Sequence, residues 1–163
     1  MKKLLTQYSA YNLWANQQFL DLIAKLPEEL HTQEIISSFP GLVATLLHIR
    51  DAESIWWQRI KLAEIIERPS ENFCGSLAEV SKGILNQSRH WHDWILQSPD
   101  HMFDHELIYY TSKKERFKQS IGEILLHVFN HSTYHRGHLV TILRQLGISN
   151  IPVTDFAYWA RKK

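Results

Sequence analysis

Ten histidines in 163 residues are the part of this sequence best equipped to do chemistry. Histidine is the commonest metal ligand and the usual acid–base residue near neutral pH. His131 and His135 bracket Ser132-Thr133-Tyr134, and a pair four residues apart on a helix projects both rings the same way, as a shared metal ion requires. His48 stands alone in a second apolar-periodic segment, 127–138 carries two more histidines, and Asn12 and Asn16 interrupt the stripe of a third segment. Other chemistries lack their parts. Ser132 occupies the place where a zinc-peptidase helix needs its glutamate base. A di-iron bundle needs paired Glu-x-x-His motifs, and the single such spacing, Glu28 to His31, follows Pro27 in a loop. There is no phosphate-cradling glycine loop and no nucleophile elbow. Cys74, the one cysteine, excludes an internal disulfide or an all-cysteine metal cluster, and no histidine is assigned to it as a catalytic partner.

The elements that must position these histidines follow from apolar spacing and punctuation. Residues 3–26 carry Leu4, Tyr8, Tyr11, Ala15, Phe19, Leu22 and Leu26 at helical intervals, and Pro27 stops them. A loop to Phe39 leads into a second helix, capped by Ser37 or Ser38 with Pro40 in its first turn, reaching about Ile66. Ser76-Leu77-Ala78-Glu79 and Ser120-Ile121-Gly122-Glu123 are capping boxes. They open a third helix to about Gln97 and a fourth to about Leu146, with Gly147 as its C-terminal stop. Between those two helices, residues 101–118 read as a short hairpin or an extended connection, with Lys113-Lys114-Glu115-Arg116 as a solvated turn. The tail around Thr154-Asp155-Phe156 adds a short helix or turn. The prediction is an all-α four-helix bundle forming a single domain over 1–163.

A wheel of about 100° per residue shows which histidines face inward. With His127 at zero, the apolar residues of the fourth helix fall between roughly 60° and 160°; His135 lies inside that stripe, His131 at its edge, and His127 and His138 outside it. On the second helix, Ala44, Ala52, Ile55, Trp56, Ile60 and Ala63 surround His48, putting it near the middle of a buried arc. Asn12 falls within the first helix's stripe and Asn16 at its margin. Buried polar groups need partners, an unpaired one costing about 1–3 kcal/mol. On the residues alone two accounts stay open: the histidines converge on a metal, or they are hydrogen-bonded core residues. His31, His90, His92, His101 and His105 read as surface histidines, and the six tryptophans as packing.

Charge excludes some partners. Lys and Arg total 18 against 17 Asp and Glu, a net charge of +1, so nothing recommends nucleic acid or an anionic membrane. No apolar run approaches about 18 residues, and Gln7, Ser9, Asn12 and Asn16 break any signal-like core at the start, so a cytoplasmic protein is expected.

The sequence resembles the DinB/YfiT-like family of metal-dependent four-helix-bundle proteins over nearly its whole length. Tyr11-Asn12-Leu13-Trp14-Ala15-Asn16, Leu47-His48 with Trp56-Trp57, the run from His127 to His138, Leu143-Arg144-Gln145-Leu146-Gly147 and Pro152-Val153-Thr154-Asp155-Phe156 carry the likeness. His138 departs from it, since relatives often have Gln there. The resemblance implies three metal ligands, at His48, His131 and His135, and a homodimer. Relatives include metal-dependent S-transferases that use low-molecular-weight thiols. The expected activity is therefore that of an enzyme activating a thiol or water, in transferase or hydrolase fashion, on a divalent ion. Zinc and nickel suit imidazole best. A small molecule is the substrate, and Asn12, Asn16 and His127 are candidates to orient ligands or substrate; no residue is assigned as catalytic base. The alternative is a non-catalytic metal-binding bundle with a stress-related or structural role.

Overall fold

The computed structural model of the chain describes residues 1–111 and 113–162. Its elements are α1 (Lys2–Ile23), α2 (Glu28–Thr32), α3 (Leu42–Ile60), α4 (Leu77–Gln97), a 3₁₀ turn (Asp100–Asp104), β1 (Glu106–Tyr110), β2 (Arg116–Ser120), α5 (Ile121–Gln145) and α6 (Phe156–Ala160). The four long helices α1, α3, α4 and α5 form the bundle. Helices α1 and α3 each lie against both α4 and α5, so consecutive long helices are not always neighbours.

Both capping boxes form as the sequence indicates. Ser76 accepts from the Glu79 N–H while Glu79 accepts from the Ser76 N–H, and Ser120 and Glu123 repeat the exchange. At the far end of α5, Gly147 (φ +82°) lets Ile148 N–H reach Leu143 O, the six-to-one bond that closes a helix on a left-handed glycine. Residues 106–120 form the hairpin, not an extended connection, paired antiparallel with Glu106 opposite Ser120 and Tyr110 opposite Arg116.

Four expectations need correction. Helix α1 ends at Ile23 instead of running to Leu26, because Lys25 and Leu26 turn inward to bond Leu22 O and Ile23 O in a tighter turn. Helix α3 begins at Leu42 on Gly41, not on a serine cap with Pro40 inside it; Ser37 instead donates to Phe39 O. Gly41 has φ +119°, and a Cβ there would meet Gln33 O at 2.6 Å. The helix also ends at Ile60, not Ile66, where Leu62 adopts φ +55°. The buried face of α3 also differs from the expected one. Leu42, Thr45, Leu46, Ile49 and Glu53 are buried, centred roughly 120° round the helix from His48, while Asp51 is buried on the opposite side. Ala44, Ala52, Ile55, Trp56 and Ile60 are only half-buried and Ala63 is exposed.

The apolar core divides in two. Phe19, Ile23, Leu42, Leu46, Ile84 and Leu139 anchor one cluster, and Leu5, Trp91, Ile95, Phe103, Leu125 and Phe129 anchor the other. Between them lies a polar layer drawn from all four long helices: Asn12 and Asn16, Glu53, Ser88, and Ser132 with Arg136.

Candidate metal centre

His48 from α3 meets His131 and His135 from α5 at the edge of the polar layer. Their ligating nitrogens all lie within 4.8 Å of one another, with His131 Nε2 3.2 Å from His48 Nε2 and 3.1 Å from His135 Nε2. Two ligands at about 2.05 Å from a tetrahedral ion stand about 3.3 Å apart, so the spacing suits a shared cation. Hydrogen bonding alone does not account for it. A neutral imidazole nitrogen is either a donor or a single lone pair, and His131 Nε2 faces two other nitrogens at once. Three lone pairs aimed at one shared cation would satisfy all three nitrogens.

Electrostatics keeps those lone pairs available. Burial, with the neighbouring His135, His48 and His127, lowers His131 to about 4. Burial, with His48 and His138, lowers His135 to about 4. His48 is also lowered by burial, with Asp51 opposing and Arg68 assisting. All three are neutral at pH 7, the form that binds metal. The Nδ1 atoms of His131 and His135 find no hydrogen-bond partner among the described residues. Ring packing orients the rings instead: Phe39, from the loop before α3, stacks on His48 at 4.3 Å and meets His135 edge-on at 5.4 Å. Tyr134 meets His135 from another side at 5.0 Å.

The polar layer locks α3 and α5, the two helices that carry the three histidines, in register. Glu53 accepts from Asn12 Nδ2 at 2.8 Å, Ser132 Oγ at 3.0 Å, Ser88 Oγ at 3.1 Å and Asn16 Nδ2 at 3.4 Å. Arg136 donates to Asn12 Oδ1 at 2.7 Å, Asn16 Oδ1 at 2.9 Å and Thr133 Oγ1 at 2.8 Å, beneath the Tyr11 ring. Two asparagines thus bridge a buried carboxylate to a buried guanidinium. Burial pushes the Glu53 carboxyl up, but every partner is a donor, which favours the carboxylate. Since Ser132 follows His131, Arg136 follows His135, and Glu53 sits five residues beyond His48, the layer fixes how the three imidazoles meet.

The structure therefore brings together the three expected ligands and places the other candidates around them. Asn12 and Asn16 belong to the interior layer and make no hydrogen bond to a histidine among the described residues. His127, lowered by burial, lies between Trp56 at 5.6 Å and His131 at 5.9 Å, outside the cluster. His138 lies 6.2 Å from Phe39, also outside it. Two histidines expected at the surface are half-buried: His31 bonds Ile23 O and His92 bonds Ser9 Oγ. Glu53, Ser88, Ser132, Arg136 and Phe39 are not among the site residues that the sequence singles out. Ser132 stood within the α5 stripe and Glu53 at i+7 from Leu46, so polar residues at core positions were the available signal.

Fold and site together define a helical-bundle protein with a three-histidine cluster able to hold a divalent metal ion. The chain belongs to the DinB family, whose profile matches residues 1–163. It is similar to Protein DinB of Bacillus subtilis (strain 168), with 30% identity over 158 residues covering 91% of this chain and 89% of that one. A crystal structure of a DinB-like protein from Bacillus subtilis shares the fold, at a TM-score of 0.68 and 16% identity, covering 91% of this chain and 97% of that one. No helix among the described residues is long and apolar enough to cross a membrane.

Proposed function

We propose that the protein is a metal-dependent enzyme that binds one zinc or nickel ion per chain on His48, His131 and His135 and activates a low-molecular-weight thiol or water. The observation that carries this reading is the convergence of three neutral imidazole nitrogens with no carboxylate or cysteine completing the set among the described residues. Three protein ligands leave a coordination position for an exogenous group, the pattern of catalytic rather than structural sites. A divalent ion held there supplies Lewis acidity that lowers the pKa of a thiol or water. The chain's own part is to hold and shield. His131 and His135 would hold the ion from a single helix, α5, and His48 would hold it from α3. Phe39 keeps bulk water from the face of His48, and the Glu53–Arg136 layer prevents α3 and α5 from sliding.

The test is elemental analysis of protein purified without a nickel column, followed by cobalt substitution. About one ion per chain is expected, and the cobalt d–d spectrum should change on adding a low-molecular-weight thiol. His48→Ala should abolish that change. Metal binding with a spectrum indifferent to millimolar thiol would move the activity to water or to a non-catalytic role, and no metal at all would end the reading.

A further inference from the structure

A cavity of about 830 Å³ opens between α3, the 67–71 turn and β1, and two arginines line it. Arg59 is half-buried, with its guanidinium over the Trp56 ring at 4.6 Å and the Tyr109 ring at 5.2 Å. Among the described residues it makes a single hydrogen bond, donating one N–H to Tyr110 O at 3.3 Å. A guanidinium carries five donors, so most of its capacity faces the cavity or its aromatic walls. Among the described residues no carboxylate lies within 4.0 Å of Arg59 or Arg68. Glu71 also lines the cavity, leaving its charged wall net positive by one.

Arg68 is exposed but its turn is held. On one side Gln58 exchanges two hydrogen bonds with the Glu67 backbone, both 2.8 Å. On the other, the Asp51 carboxylate accepts from Ser70 N–H at 2.8 Å and Ser70 Oγ at 2.5 Å. Clamps on both flanks fix the backbone that carries Arg68, so the main-chain part of the ordering cost is met before any ligand arrives. Ile55, Ile66, Ile108 and Tyr109 supply an apolar wall to the same space. Mostly apolar lining with a few placed charges is the composition of a small-molecule site.

The cavity borders the same face of α3 that carries His48. His48, Ile55 and Arg59 fall on one face of α3, and a rise of 1.5 Å per residue puts Ile55 about 10 Å and Arg59 about 16 Å along the axis. The Arg59 guanidinium lies over Trp56, about one turn nearer His48 along α3. We infer that this cavity is a carboxylate-binding subsite: Arg59 and Arg68 take the carboxylate of an elongated, partly apolar organic acid whose other end reaches the histidine centre. The second half of that statement rests on the metal reading above; the first does not.

Isothermal titration with 4-phenylbutyrate and with its uncharged amide, on the full chain loaded with zinc, tests the subsite. Binding of the carboxylate should exceed that of the amide by about tenfold or more, the effect of charge-assisted hydrogen bonds. Arg59→Gln and Arg68→Gln should each remove most of that preference, while Arg59→Lys keeps part of it. Arg68 lies on an exposed turn, so Arg68→Gln keeps the test usable should Arg59→Gln disturb the Trp56 and Tyr109 stack. Equal binding of acid and amide, no binding of either at 10 mM (about the weakest measurable affinity), or variants that retain the preference would each overturn the proposal. Elemental analysis of the same samples separates the two readings. Carboxylate preference without zinc upholds the subsite and removes the metal, whereas zinc without the preference does the reverse.

Discussion

Removing the charge of Glu53 should show that the interior layer acts as one unit. Glu53 is 1% exposed and receives four hydrogen bonds, and Arg136, 2% exposed, is joined to it through Asn12 and Asn16. Hydrogen bonds to a charged group contribute about 1.5–3 kcal/mol each, but such values do not add within one network. The better guide is the loss on breaking a buried charge pair, about 3–5 kcal/mol, because the survivor stays buried without its counter-charge. Glu53→Ala should therefore cost about 3–5 kcal/mol, or roughly 6–20 °C in Tm at 2–4 °C per kcal/mol for a chain of this size. Glu53→Gln keeps the shape and most acceptor contacts and should cost less, about 1–3 kcal/mol. Arg136→Met should cost about as much as Glu53→Ala. The double variant Glu53→Gln with Arg136→Met restores neutrality, so its loss should fall short of the sum by about 0.5–3 kcal/mol. Urea unfolding followed by circular dichroism at pH 7 supplies all four values. Losses that simply add would refute the coupling through the asparagines.

The ligands should separate cleanly from their neighbour: His131→Ala or His135→Ala abolishes tight zinc binding, whereas His127→Ala weakens it by about 10–100-fold, and equal losses in competition titrations would make His127 a ligand. In metal-free protein, His131 and His135 titrate near 4 in the folded chain against an ordinary 6.5, so the unfolded chain binds more protons between those values. That stability is present above 6.5 and is lost as pH falls through about 4; urea midpoints across this range should drop, and less steeply in His131→Asn. Gly41→Ala should cost about 1–3 kcal/mol, since φ +119° is open only to glycine and the new methyl meets Gln33 O; an unchanged melting temperature would show that the 33–41 loop relaxes freely.

The sequence by itself determined the helices whose ends are chemically marked. Two serine–glutamate capping boxes and Gly147 placed both ends of α5 and the start of α4, because a cap is a local exchange of hydrogen bonds that needs only neighbouring residues. It also determined the His131–His135 pair, since helical spacing alone aims two rings in one direction. Tertiary structure decided the rest. Apolar spacing alone gives α3 the wrong phase, because Ala52, Ile55 and Trp56 look like core residues but line a half-open face, while Glu53 occupies a core position. Hydrophobicity along one helix cannot reveal that a carboxylate will meet Asn12, Ser88 and Ser132 from three other helices. Burying such a group becomes affordable only when all its donors arrive together, and their arrival is a property of the assembled bundle. The same assembly brings His48 to within 3.2 Å of His131 across 83 residues of chain, a distance that no spacing rule within one helix could supply.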